Sequence, residues 1–306
     1  MNGSQDIAQP VSEQLGPQAR AAPATRSFRS RAIRHLRGSV SGRIGLVLVL
    51  LVIVMALFAP LLAPHDPYAI RNEHRMLGPS TYYPLGTDEF GRDILSRIIY
   101  GARISLQVGA ISVIIALLIG GTLGLISGFY GGWVDSVISR VLDILFAFPD
   151  ILLAIALLAV LGPDLKNVMI AIGVVYTPSF ARIVRGPVLS VRSQEYVEAS
   201  RVIGASVGRT LFRHVLPNVT APLIVQATIA FSFAILTEAA LSFLGLGAQP
   251  PEPSWGSMLN AGKRFIELAP WMAIFPGLAI MIAVLGFNLI GDWLRDVLDP
   301  RTVSSR

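Results

Sequence analysis

Three stretches of this chain, Ile44–Ala63, Ile104–Tyr130 and Trp271–Ile290, carry no charged side chain at all. Each reaches the roughly 20 residues that a helix needs to cross about 30 Å of hydrocarbon. The rest of the chain offers little polar surface to set against them. It is 53% hydrophobic and 14% charged, with a mean hydropathy of +0.62, too apolar to clothe a soluble globule. Val134–Leu161, Val168–Leu189 and Pro222–Leu246 read as three more spans interrupted by polar groups. A membrane β-barrel would show period-two alternation, and runs such as GLVLVLLVIVMALF do not alternate. The expected fold class is therefore an all-α integral membrane protein with six transmembrane helices.

The chain divides accordingly. Residues 1–43 form an N-terminal segment with Arg26, Arg29, Arg31, Arg34, Arg37 and Arg43, and 44–63 the first transmembrane helix. Residues 64–103 lead in to a core, 104–294, that holds the other five transmembrane helices, and 295–306 form a tail with Arg295, Arg301 and Arg306. Arginine-rich flanks stay in the cytoplasm, which predicts both termini inside, residues 64–103 outside and the first span retained. Arg92, Arg97 and Arg103 run against this orientation, but Asp88, Glu89 and Asp93 accompany them. The net charge of +6 then reflects contact with membrane lipid at the inner leaflet, and no nucleic acid is expected as a partner. With no cysteine in the sequence, disulfides and thiolate metal sites are excluded.

Chemistry of the enzymatic kind is missing. The four histidines, His35, His65, His74 and His214, lie outside the apolar runs and form no HExxH or adjacent ligand pair, so neither a catalytic set nor a metal site is read. No phosphate-binding GxxxxGK[ST] loop occurs. Any ATP used must be bound by another chain. Polar residues inside the spans are the remaining clue, because charge in hydrocarbon faces a cavity or a partner. Arg140, Asp143, Ala147 and Asp150 have the spacing of one helical face in the third span. That face reads either as the wall of a translocation path or as an Arg140–Asp143 pair with ordinary packing. Glu238, alone in the fifth span, reads as a path residue or a hydrogen bond to a neighbouring helix. A proton relay through Asp143, Asp150 or Glu238 would define a self-sufficient secondary transporter, against which no inverted repeat is seen.

Gly120, Gly124 and Gly128 recur every fourth residue and predict a close helix contact. Pro149, Pro178 and Pro276 predict kinks. Between the fourth and fifth spans lies EYVEASRVIGASVGRTLFRHVLPN, residues 195–218. It reads as a helix from Glu195 to Ile203, a stop at Gly204, an N-cap at Ser206 and a second helix ended by Pro217. Its apolar residues, Val202, Ile203, Leu211 and Phe212 among them, exceed what a solvated loop carries. They fit a partner protein or the membrane surface equally well.

EASRVIG with the later VLP resembles the EAA motif of ABC importer permeases, through Glu198, Ala199, Gly204, Leu216 and Pro217, with Ser200 where that motif usually has alanine. PLGTDEFGRDILSRIIYGARISL (84–106), EAALSFLGLGAQPPEPSWGSML (238–259) and FNLIGDWLRDVLDP (287–300) are similar to the second permease of dipeptide and oligopeptide importers, the DppC/OppC type. That resemblance implies a type I importer permease (MetI-like) fold in a bacterial inner membrane. It implies a coupling loop over 195–217 and a heterodimer with a homologous DppB/OppB-type permease. One or two ABC ATPase subunits would bind ATP and Mg, with no cofactor in this chain, and an extracytoplasmic solute-binding protein would deliver a peptide or similar solute. In LGTDEFGRD, turns and helix capping are expected, with Thr87 or Asp88 as N-cap, and Trp255 in AQPPEPSWG is expected as an interfacial anchor.

Overall fold

The computed structural model describes residue 36 and residues 38–298, without the side chains of Ser200, Arg201 and His214. The expectations for residues 1–35 and 299–306, including most of the N-terminal arginines and Arg301 and Arg306, lie outside the described residues. Five helices are long and apolar enough to cross a membrane, and a sixth crossing is made if one bent pair counts as a single span. Regular structure among the described residues is helical apart from a lone bridge between Thr87 and Asp93.

Helix α1, Val40–Leu57, is followed by the short α2, Ala59–Leu62. Helix α3 runs over 37 residues, Ile94–Tyr130, and so begins at Ile94 where the sequence pattern put the span at Ile104. The charged stretch before Ile104 continues the same helix because its charges are satisfied locally. Arg97 donates to the Pro67 carbonyl at 3.0 Å, and Arg103 to the Ala56 carbonyl at 2.8 Å. Asp93, in place of Thr87 or Asp88, is the N-cap, accepting from Ser96 N at 2.9 Å. Thr87 instead bonds Leu77 N and the His74 carbonyl within the lead-in.

The third span is broken. Helix α4, Gly132–Phe146, and helix α5, Asp150–Leu161, meet at 92° across residues 147–149. Pro149 occupies the N-cap of α5, where its missing N–H costs nothing, and it ends α4 by restricting the residue before it. Arg140, Asp143, Ala147 and Asp150 consequently share no single helical face. Helix α6, Leu165–Arg192, carries Pro178 and Pro187 inside it, and no break interrupts it there.

Helix α7, Glu195–Val202, and the short α8, Val207–Thr210, form the 195–218 segment with a π-helical stretch, Leu211–Val215. Helix α9, Leu216–Phe243, follows without a break, and α10, Trp255–Gly262, and α11, Trp271–Leu298, complete the chain. Pro217 therefore does not stop the second short helix. It sits in the first turn of α9, a position that needs no N–H bond.

Packing follows the small residues. On α3 a Cβ at Gly120 would meet Phe180 Cβ at 2.8 Å, at Gly124 Val184 Cβ at 2.8 Å, and at Gly128 Val188 Cβ at 2.8 Å. Both sets of numbers rise together, so α3 and α6 lie side by side in the same direction. Removal of the side chain lets the two backbones come close enough for dispersion to replace the hydrophobic effect, which lipid does not supply between helices. Gly45 against Leu289 and Gly286 against Leu48 seat α1 antiparallel on α11 in the same way. Phe231 of α9 stacks on Phe287 of α11 at 4.3 Å between centroids, and Ser232 bonds Asn288 at 2.9 Å.

Candidate functional site

The loop at 195–215 and the lead-in at 64–93 lie at opposite ends of this bundle. At the loop end, Val197 and Val215 are fully buried, and Val215 joins Phe129, Val184, Val188 and Val219 in a small core. Arg192 closes the C-terminal end of α3 by donating to the Gly128 and Phe129 carbonyls, each at 3.2 Å. One face of the loop is thereby fastened to α3, α6 and α9. The opposite face is bare: Val202, Ile203 and Phe212 are 86%, 84% and 71% exposed, and Glu198 and Ala199 are exposed as well. Leu216 is partly buried and Pro217 exposed.

Gly204 joins the two short helices with φ +81, a left-handed conformation that any side chain would strain. Nothing lies within 4 Å of the position its Cβ would take, so backbone conformation alone demands glycine. Ser206 accepts from Arg209 N and caps the second helix as its sequence predicts. Helix 195–202, turn and helix 207–215 form one knuckle whose outer surface exposes Val202, Ile203 and Phe212.

Between α3, α4 and α6 is a polar cavity of about 270 Å³. Asp135 of α4 receives both Nε and Nη2 of Arg185 at 2.6 Å, together with Ser127 at 2.5 Å and Ser139 at 3.3 Å. Asp143 does not pair with Arg140. Its partner is Arg182 of α6, Nη2 to Oδ1 at 3.2 Å, with the guanidinium 4.2 Å over the Phe146 ring. Arg182 and Arg185, one helical turn apart, were not singled out by sequence reasoning. An aspartate within a span was itself the signal that a cation from another span must face it. Asp150 is exposed at the start of α5, beyond the bend.

Glu238 is fully buried near the far end of α9. Ser242 Oγ donates to its Oε1 at 2.7 Å and accepts from Ala248 N at 3.2 Å, while Oε2 makes no hydrogen bond. These contacts tie the 244–254 connection to α9 and are those of a structural strut. Trp255, also fully buried, is no interfacial anchor: its indole N–H donates to the Ile98 carbonyl at 2.9 Å and its ring lies on Gly101.

The lead-in is ordered by Asp88, which accepts from Phe90 N and Arg92 N at 2.9 Å and from Arg92 Nε at 2.6 Å. Gly91, φ +73, passes directly over the Arg71 carbonyl and has no room for a side chain. Burial pushes the Glu89 carboxyl above its ordinary range, only partly offset by Arg92 at 3.9 Å. The folded state thus holds this proton more tightly than the unfolded chain. Its contribution to stability is full below the ordinary carboxylate range and is lost as pH rises through the raised value. Thermal unfolding in detergent between about pH 4 and pH 8 should show Glu89→Gln flattening that fall and gaining stability over the native chain at neutral pH.

A bundle of membrane-spanning helices with a glycine-packed pair, a bent span and a knuckle projecting at one end defines a multi-span helical membrane protein. Residues 120–304 match the family described as binding-protein-dependent transport system inner membrane component, and 27–79 the N-terminal transmembrane domain of oligopeptide transport permease C. The chain belongs to this family of ABC importer permeases. It is 52% identical to the dipeptide transport system permease protein DppC of Alkalihalophilus pseudofirmus, over 89% of this chain and 90% of that one. Identity is 48% to the glutathione transport system permease protein GsiD of Pectobacterium atrosepticum, with the same coverage. It is 47% to the di/tripeptide permease DppC of Pseudomonas aeruginosa, again over 89% and 90%. The fold is shared with the MetNI methionine ABC transporter in an inward-facing conformation, at TM-score 0.54 and 19% identity over 67% of this chain and 98% of that one.

Proposed function

We propose that this chain is the permease subunit of an ATP-driven importer for dipeptides or similarly small peptides, with both termini in the cytoplasm. It lines the translocation path together with a homologous DppB/OppB-type permease. ATPase subunits that bind ATP and Mg dock on the knuckle, and an extracytoplasmic solute-binding protein hands over the peptide at the opposite end. The observation that carries this reading is the exposed apolar face of the knuckle, Val202, Ile203 and Phe212, backed by the buried Val197 and Val215. A face of that kind on a rigid support fits a groove in a protein better than it fits solvent.

Movement of the ATPases would turn the knuckle as a lever. Through the continuous helix 207–243 that motion reaches the span α9, and through Arg192 it reaches the ends of α3 and α6. Glu198 supplies a polar anchor, Ala199 and Ser200 small residues that permit close approach, and Gly204 the angle between the two short helices. Leu216 and Pro217 set the start of α9.

The test is co-purification of the ATPase subunits with the full permease complex solubilised in detergent. Val202→Asp with Ile203→Asp is expected to lower the ATPase recovered by roughly tenfold or more, since both side chains sit at the centre of the docking face. Both are already exposed, so the bundle itself should accumulate normally. Undiminished recovery would place the knuckle on the lipid surface.

A further inference from the structure

Two arginine–aspartate pairs join α4 to α6, with Arg185, Arg182 and Asp143 lining the cavity, and they differ in a way that sequence alone conceals. The Asp135–Arg185 pair is closed. Two short parallel hydrogen bonds join it, Ser127 and Ser139 both donate to Asp135 Oδ1 as well, and the side chains are 17% and 37% exposed. The Asp143–Arg182 pair is open. A single contact at 3.2 Å joins it and both side chains, which line the cavity, are 62% exposed, leaving further guanidinium donors and a carboxylate oxygen outside that contact.

Such an open pair within membrane-spanning helices is costly unless it faces water or a ligand. Its architecture is that of a held but exchangeable site. The Phe146 ring under the guanidinium, at 4.2 Å, fixes the plane of Arg182 without using its N–H groups. The closed pair, about one turn away on α6 and two on α4, fixes α4 against α6, so that opening Asp143–Arg182 need not separate the helices. Cation and anion stand side by side with matched freedom, which complements a small zwitterion better than an ion of either sign.

We propose that Arg182 and Asp143 form an exchangeable pair in the translocation path, opening to take the terminal carboxylate of the passing peptide on Arg182 and its ammonium group on Asp143. This inference rests on the importer function proposed above. No covalent step is involved: one ion pair is traded for two and reforms behind the departing solute. The site is transient by design, because the pair competes with the solute for itself.

Initial rates of labelled alanyl-alanine uptake by the reconstituted full importer test this. Arg182→Gln and Asp143→Asn should each lower uptake by roughly tenfold or more, the loss expected when a charged hydrogen-bonding partner is removed. Arg182→Lys should retain part of the rate, since it keeps the charge and loses the planar fork. The decisive variant is the exchange Asp143→Arg with Arg182→Asp. It restores an internal pair but inverts its polarity toward a peptide handed over in one orientation, so uptake should stay low. Recovery to near the native rate in the exchanged variant would make the pair structural and overturn the inference, as would undiminished uptake in Arg182→Gln. An unmodified complex that hydrolyses ATP yet takes up no dipeptide would overturn the transport reading itself, and this inference with it.

Discussion

Gly124→Leu is expected to abolish accumulation of the folded chain in the membrane. A Cβ at this position meets the Ala181 carbonyl oxygen, which belongs to the α6 backbone and cannot rotate away, and Val184 Cβ at 2.8 Å. Gly120 and Gly128 hold the turns above and below equally close, so the helices cannot tilt to make room. Overpacking of one methyl costs about 1–3 kcal/mol where side chains can give, and here backbone must move instead. Although Gly124 also lines the polar cavity, the Cβ of leucine already collides with the α6 backbone and so separates α3 from α6 along the seam. Gly124→Ala should insert but melt at a lower temperature than the native chain. Size-exclusion profiles and thermal unfolding of the detergent-solubilised protein read both outcomes. A monodisperse Gly124→Leu protein of native stability would mean that α3 and α6 are not held by this seam.

The second large effect is functional and leaves the bundle intact. Gly204→Pro should reduce uptake to background while the chain still inserts and unfolds at close to its native temperature. Proline fixes φ near −65°, and Gly204 stands at +81, so the turn between α7 and α8 cannot form. Nothing packs on Gly204, which confines the damage to the angle between the two short helices. Gly204→Ala, which faces a left-handed penalty of about 1–2 kcal/mol, should lie between the two. Measuring uptake and ATP hydrolysis together in the reconstituted complex separates lost docking from lost coupling. Uptake at the native level in Gly204→Pro would remove the rigid knuckle from the mechanism.

The spans were legible because apolar runs and turn chemistry are local. Gly204 as a stop, Ser206 as a cap and the spacing of Gly120, Gly124 and Gly128 carry their meaning within a few residues, and the structure places them accordingly. What escaped the sequence depends on partners far along the chain. Arg97 and Arg103 made the stretch before Ile104 look solvated, but their acceptors come from Pro67 and Ala56. Asp143 read either as a path residue or as a partner of Arg140, and its cation comes from α6 across the bend at Pro149, which also divided a face that the spacing joined. Trp255 looked like a residue for the lipid headgroups until the carbonyl of Ile98 claimed its N–H.

Helix α3 is longer than any bilayer requires. At about 1.5 Å per residue its 37 residues measure roughly 55 Å against about 30 Å of hydrocarbon, and moderate tilt absorbs only part of the difference. The surplus is a mast. At its Ile94 end it carries the ordered lead-in, with its Asp88 turn and the Trp271 prop on Thr87. Any force on that lead-in is passed to a helix that runs unbroken to the other end of the bundle.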